Sequence, residues 1–266
     1  MRIPLFFALP ALVFPLLLAA LFASVSTSLA ETAEQKITEE TTGVAVVELF
    51  TSQGCSSCPP ADQLLTALSS LNTEHQMPVY CLSFHVDYWN SLGWSDPYSS
   101  KQSSKRQHRY ATVLETNRTY TPQMIVNGAE EFVGSNAERA KAALKSALSK
   151  QATATINLRT HSQSDEPQLT VEFAVTGDEE QEILNIALVQ AAAQNEVPQG
   201  ENSGKTLSHV NVVRGFQTLD LDTQQGKAFF ALPVNTGSSE YLIIAYVQNR
   251  DTGQITGANS TAVDLQ

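Results

Sequence analysis

The sequence predicts an α/β domain followed by an all-β, sandwich-like domain, α+β overall, and three observations carry that expectation. From Val44 to Val86 the chain reads as a strand, a helix and a second strand, with Cys55-Ser56-Ser57-Cys58 at the first junction. Beyond Lys150 the composition changes, and seven β-like runs follow without a helical pattern between them. Finally, setting aside a thirty-residue apolar leader from the 266 residues leaves a length that fits two ordinary domains better than one.

The leader comes first. Arg2 is a minimal positive start, Ile3 to Phe22 is almost wholly apolar, and Ser28-Leu29-Ala30 places small residues where a signal peptidase reads them. Residues 1–30 are therefore expected to be a signal peptide cleaved after Ala30. The competing reading is a retained anchor, since a spanning helix needs about 20 apolar residues; the prolines at 4, 10 and 15 weigh against it. Export to the periplasm or the medium follows, with no stable membrane insertion once the signal is removed. Residues 31–43 are polar and aperiodic and read as a flexible leader.

Residues 44–150 are expected to form the first domain. Val44 to Phe50 is a short apolar run suited to a central strand. A helix is predicted from Pro59 to Leu71, started by two prolines whose missing N–H groups cost the first turn nothing, with Leu64, Leu65, Leu68 and Leu71 on one face. Pro78 introduces a second strand, Val79 to Val86, and strand–helix–strand implies a parallel pair. Residues 87–118 break the rhythm and read as an inserted loop and helix. Tyr120 to Gly128 reads as a proline-led strand ending in an Asn127-Gly128 hairpin turn, with Glu131 to Gly134 as the returning strand. Asn136 then caps an alanine-rich helix, Ala137 to Ser149. In the second domain, 151–266, the β-like runs lie near 153–160, 168–175, 182–191, 205–219, 227–234, 240–248 and 254–263.

Charge and cysteine usage narrow the chemistry. Of the 16 basic residues only Arg2 leaves with the signal, so 15 face 27 acidic ones, a net charge of −12. Nucleic acid and anionic lipid would be repelled. An exported protein held together by disulfides carries several pairs, whereas this one has a single close pair and a third cysteine, Cys81, in a strand-like run that suits a buried filler, the alternative being a third reactive thiol near the pair. A thiolate at a helix N-terminus is stabilised by unpaired N–H groups and the positive end of the macrodipole. Cys55 is accordingly expected to be the exposed attacking thiol and Cys58 the buried resolving one. His85, Asp87, Tyr88, Trp89 and Trp94 form the densest polar-aromatic cluster, at the end of the second strand and holding both tryptophans. Their alternatives are a groove wall beside Cys55 or a small core that fastens the insert. His209 and Arg214 are either a solvated or salt-bridged strand face, or a contact to the first domain or to an anionic ligand at the domain boundary.

The order strand, CxxC, helix, strand, Thr121-Pro122 loop, hairpin and closing helix resembles the thioredoxin-like superfamily. The runs VELFTSQGCSSCPPAD (47–62), HVDYWNSLGWSDPYSS (85–100), YTPQMIVNG (120–128) and GKTLSHVNVVR (204–214) resemble the DUF1223 family of exported proteins of unknown function. The superfamily resemblance implies that Thr121-Pro122 is cis and shapes a substrate groove with Trp89, Trp94 and His85. It also implies a desolvated acid on the strand before the dithiol that acts as general base for Cys58. Glu48 stands one residue from that place, and a strand carboxylate bonded to solvent or a loop N–H is the alternative.

Three functions follow. The leading one is thiol–disulfide exchange outside the cytoplasm, an oxidoreductase activity with Cys55 attacking and Cys58 resolving, acting on protein thiols or disulfides or on a small thiol and requiring no cofactor or metal. A second is a copper- or zinc-binding module using Cys55, Cys58 and His85. A third is an interaction protein whose disulfide is structural.

Overall fold

The computed structural model describes residues 43–162, 168–177, 181–232 and 240–263. The expected signal peptide and nearly all of the flexible leader, residues 1–42, lie outside the described residues.

Strand β1 (Ala45–Thr51) is buried along its whole length and pairs in parallel with β2 (Val79–His85), from Ala45 opposite Val79 to Thr51 opposite His85. Between them runs α1 (Pro59–His75), one turn longer than its apolar spacing predicts and closed by Gln76 in the left-handed region. The insert supplies a single 3-10 turn (Asn90–Leu92) and α2 (Lys101–Val113), whose N-cap Ser100 accepts from the Ser103 amide. Strands β3 (Gln123–Val126) and β4 (Glu130–Val133) form the hairpin, with Asn127 and Gly128 both at positive φ as the turn requires. The Thr121-Pro122 bond is cis. Helix α3 (Ala137–Leu148) is capped by the Asn136 side chain on the Arg139 amide.

All seven β-like runs of the second half are strands: β5 (Thr155–Ser162), β6 (Gln168–Thr176), β7 (Glu182–Val197), β8 (Lys205–Asp220), β9 (Gln225–Ala231), β10 (Tyr241–Asn249) and β11 (Ile255–Ala262). They divide between two sheets. Three form an antiparallel sheet in the order β5-β6-β9, and the other four extend the sheet of the first half, in the order β11-β10-β7-β8-β2-β1-β3-β4. The joint is a parallel contact of β2 with β8, Ser83 opposite Val212. The fold is thus mixed α/β, with one large mixed sheet and one small antiparallel one, and residue 150 parts the two halves of the sequence without parting the large sheet.

The covering of that sheet explains the sequence pattern. On β1, Val47 and Leu49 face a core under α1 and α3, while Val46 and Phe50 face the opposite core, which α2 closes with Tyr110. On β7, Leu184, Ile186 and Leu188 pack on the small sheet, and Ala187 and Val189 turn to the α2 side. Strands covered on both faces read as continuous apolar runs rather than as alternation. The α1–α3 pair and the small sheet consequently share one face, and α2 lies on the other.

Candidate functional site

The site begins where β1 ends. Thr51 is its last residue, and Ser52-Gln53-Gly54 carries the chain to Cys55, whose amide donates to the Ser52 carbonyl at 3.2 Å. Cys55 and Cys58 form a disulfide, and Cys58 is the N-cap of α1, its carbonyl accepting from the amides of Ala61 (2.8 Å) and Asp62 (3.1 Å). Cys81, the remaining cysteine, is buried in the core under α1, and burial pushes its thiol pKa far up.

The expectation of an exposed Cys55 is not met. Both cysteines have zero exposure, and only Ser56 and Ser57 between them reach solvent. The cover is the loop joining β7 to β8. The Asn202 side chain, fully buried, donates to the Gln53 and Cys55 carbonyls, each at 2.9 Å, and Glu201 accepts from the Ser56 amide at 2.9 Å. Hydrogen bonds from Ser56 hold the Glu201 carboxyl below its ordinary range. Gly200 and Gly204 flank this strap at φ +82° and +79°, values that favour glycine. A reading of local sequence around the CxxC has no view of a strap that arrives 147 residues later.

Behind the disulfide lies a buried polar cluster. His85, the last residue of β2, bonds through Nδ1 to Asp96 Oδ2 at 2.7 Å, both side chains without exposure. Asp96 also accepts from the Gln53 and Tyr98 amides, each at 2.9 Å. Burial alone pushes the Asp96 carboxyl up, but the pull of His85 and these hydrogen bonds together hold it below the ordinary carboxylate range. Gln53 donates to Asn195 Oδ1 (2.5 Å) and faces His209 Nε2 at 3.1 Å, while its Oε1 accepts from Trp94 Nε1 and Asn195 Nδ2, each at 3.1 Å. His209 is buried, its ring crossing that of His85 at a centroid distance of 4.6 Å and its Nδ1 lying 3.6 Å from Asp62 Oδ1. It is therefore a contact between β8 and the CxxC helix, one of the two readings its sequence allowed. Arg214, which is exposed, instead lies over the Tyr98 ring, 5.2 Å from its centroid.

The expected groove residues divide. Trp89 Nε1 donates to Thr121 Oγ1 at 2.8 Å, tying the insert to the Thr-Pro loop, and Trp94 ties it to Gln53. Pro122 approaches α1 through Gly134: a Cβ there would meet both Pro122 Cβ and Ala61 Cβ at 3.1 Å. Trp89 and Trp94 thus fasten the insert to Thr121 and to Gln53, two residues before Cys55, and His85 joins the same network through Asp96. Glu48 does not face the cysteines. With Val47 and Leu49 directed under α1, alternation turns Glu48 to the α2 face, where its carboxylate accepts from Arg106 Nε (3.2 and 3.1 Å), Arg106 Nη2 (2.6 Å) and the Tyr246 hydroxyl.

Gln53, Asp62, Asp96, Asn195, Glu201 and Asn202 were not singled out in the sequence. Asp62 alone left a signal, four residues after Cys58 and so on its side of the helix. As to metal, His85 Nδ1 is bonded to Asp96, and among the described residues no group of three His, Cys, Asp or Glu side chains converges as a metal site.

The family model described as "Protein of unknown function (DUF1223)" matches residues 46–248, more than half of the chain. The chain belongs to the DUF1223 family. The match takes in the CxxC, the insert, the strap and His209, so the whole cluster lies within the family's span. A crystal structure of the protein AGR_C_4864 from Agrobacterium tumefaciens has a similar fold, at 25% identity over 84% of this chain and 96% of that one, with a TM-score of 0.58. The sporulation control protein Spo0M from Bacillus subtilis aligns over 42% of this chain and 48% of its own, at 15% identity and a TM-score of 0.26. No curated protein matches the chain.

Proposed function

We propose that this DUF1223 protein is an extracytoplasmic thiol–disulfide exchange protein, with Cys55–Cys58 as its redox pair on a thioredoxin-like frame. The observation that carries this is the placement of the disulfide: at the carboxyl end of β1, with Cys58 as the N-cap of α1. Reduction there generates a thiolate where helix N–H groups favour it. The order β1, CxxC, α1, β2, Thr-Pro loop, β3, β4, α3 supports the frame, and the signal-like sequence of residues 1–30 supports export. Partners are protein thiols or disulfides, or a small thiol, reached once the strap of Glu201 and Asn202 lifts from the CxxC turn. A second reading, a structural disulfide, is favoured by the zero exposure of both cysteines.

A redox titration separates the two. The protein is equilibrated across a glutathione series and its thiols trapped with an alkylating mass tag. The exchange reading expects a reversible two-electron transition of Cys55 and Cys58 on the order of −120 to −270 mV. A pair that stays oxidised until below about −300 mV supports the structural disulfide instead.

A further inference from the structure

Exchange through a buried resolving cysteine needs a group to carry that cysteine's proton, and Glu48, the strand carboxylate, faces the other side of the sheet. The side chain on the cysteine's own side is Asp62. Cys58 has helical φ and ψ (−77°, −37°) and Asp62 lies one turn further along α1, its amide bonded to the Cys58 carbonyl. Residues so spaced share a face, with Cβ atoms about 5–6 Å apart. Asp62 is 5% exposed, and its Oδ1 has no hydrogen-bond partner. The nearest cationic or protic group recorded to it is His209 Nδ1 at 3.6 Å, also buried and also without a hydrogen-bond partner.

The protonation of His209 follows from its neighbours. Gln53 Oε1 accepts from Trp94 and Asn195, which fixes the amide so that Nε2 is the donor. That Nε2 faces His209 Nε2, which must therefore accept. A neutral ring then carries its hydrogen on Nδ1, the nitrogen 3.6 Å from Asp62 Oδ1. An unpartnered carboxylate oxygen one helical turn from the resolving cysteine and an unpartnered ring nitrogen 3.6 Å from that oxygen are complementary.

We propose that Asp62 is the proton acceptor and donor for Cys58, and that His209 is the positioning residue that holds the Asp62 carboxylate; the inference rests on the exchange reading. In the resolving step Cys55 is joined to a partner sulfur. Cys58 gives its proton to Asp62, its sulfur attacks Cys55 Sγ, and the partner's sulfur leaves with the electron pair of the broken bond. Run backwards, a partner thiolate attacks Cys55 Sγ, the pair leaves on Cys58, and Asp62 returns the proton. The other ionisable groups facing this region are His85 and Asp96, bonded to each other, Tyr98 under Arg214, Glu201 on Ser56, and Lys205, whose Nζ donates to Asn202 Oδ1 at 2.9 Å.

The test uses the reduced full-length protein and a chromogenic aromatic disulfide, which Cys55 attacks with release of one thiolate; the second release reports Cys58. Wild type is expected to show a second rate nearly flat between about pH 6 and 9. Asp62→Asn should slow it on the order of a hundredfold near neutrality and make it rise about tenfold per pH unit, as loss of a general base does. His209→Leu, which removes the polar group that faces the carboxylate, should cost about tenfold, and His209→Asn, which keeps an N–H near the Nδ1 position, should recover most of it. A second rate in Asp62→Asn within twofold of wild type with the same pH profile overturns the proposal, as does a profile that changes in Glu48→Gln instead. If Asp62→Asn does not fold, equal rates in His209→Leu and His209→Asn overturn it. A wild-type disulfide that small thiols cannot reduce reversibly overturns the exchange reading, and the inference with it, before any variant is made.

Discussion

Replacing Arg106 by methionine tests how the two halves of the large sheet are locked together. Arg106 is 7% exposed and its guanidinium lies within 5.6 Å of the ring centroids of Phe84, Tyr110, Phe216 and Tyr246, from β2, α2, β8 and β10. It donates to Glu48 on β1, to the Tyr110 hydroxyl at 2.9 Å and to Gln248 Oε1 at 3.4 Å. Burial disfavours the charged guanidinium, but the adjacent Glu48 carboxylate outweighs it and raises the arginine's pKa. Methionine fills much of the volume and leaves Glu48, 1% exposed, with only the neutral hydroxyls of Tyr246 and Tyr110 beside it. Stranding one member of a buried ion pair costs about 3–5 kcal/mol. For a chain of this size that lowers Tm by roughly 6–20 °C, at about 2–4 °C per kcal/mol. The double variant Glu48→Leu with Arg106→Met removes both charges and should recover at least half of the loss, giving a positive coupling in a double-mutant cycle. Urea unfolding of the four proteins reads all three terms. A loss below about 1 kcal/mol for Arg106→Met, or losses that simply add, would refute the claim that this pair is desolvated and mutually dependent.

Three further outcomes follow from the same structure. Asn202→Ala removes two hydrogen bonds from the strap, about 2 kcal/mol together, and should speed reduction of the Cys55–Cys58 disulfide by a small thiol at least tenfold; an unchanged rate would mean that the strap does not limit access. Because Asp96 is held below 3.8 in the folded state, its contribution to stability is fully present above that value and is lost as pH falls through the lower folded value. Asp96→Asn should therefore destabilise the protein at neutral pH and shrink its acid sensitivity, which thermal melts from about pH 7 to pH 3 will show or disprove. Gly134→Ala would press a Cβ to 2.7 Å from Leu49 Cδ1 and 3.1 Å from Ala61 and Pro122, so a loss of about 1–3 kcal/mol is expected in chemical unfolding, with no loss if α1 can shift freely.

The parts of the fold legible in the sequence are those with local causes. The apolar run before the CxxC, the prolines that open α1, the Asn127-Gly128 pair that accepts positive φ, and Asn136 at the start of α3 each act within a few residues. The seven β runs were legible for the same reason, since turn residues and β-branched stretches mark strands one at a time. Their pairing was not. Nothing local says that β7, β8, β10 and β11 extend the first sheet while β5, β6 and β9 form another, and continuous apolar runs fit either arrangement.

The site divides along the same line. By itself the sequence determined that two thiols stand at a helix N-terminus, because spacing and proline placement suffice for that. Only the tertiary structure decided what surrounds them. Asn202 reaches Cys55 across 147 residues, His209 reaches Gln53 across 156, and Tyr246 reaches Glu48 across 198. Hydrogen bonds and ion pairs between buried groups depend on which strands become neighbours, and that choice belongs to the packing of the whole sheet. Glu48 shows the reason most plainly: its position on β1 was fixed by local sequence, but which face it took, and so whether it met a cysteine or an arginine, was set by α1 and α3 claiming Val47 and Leu49 for the opposite core.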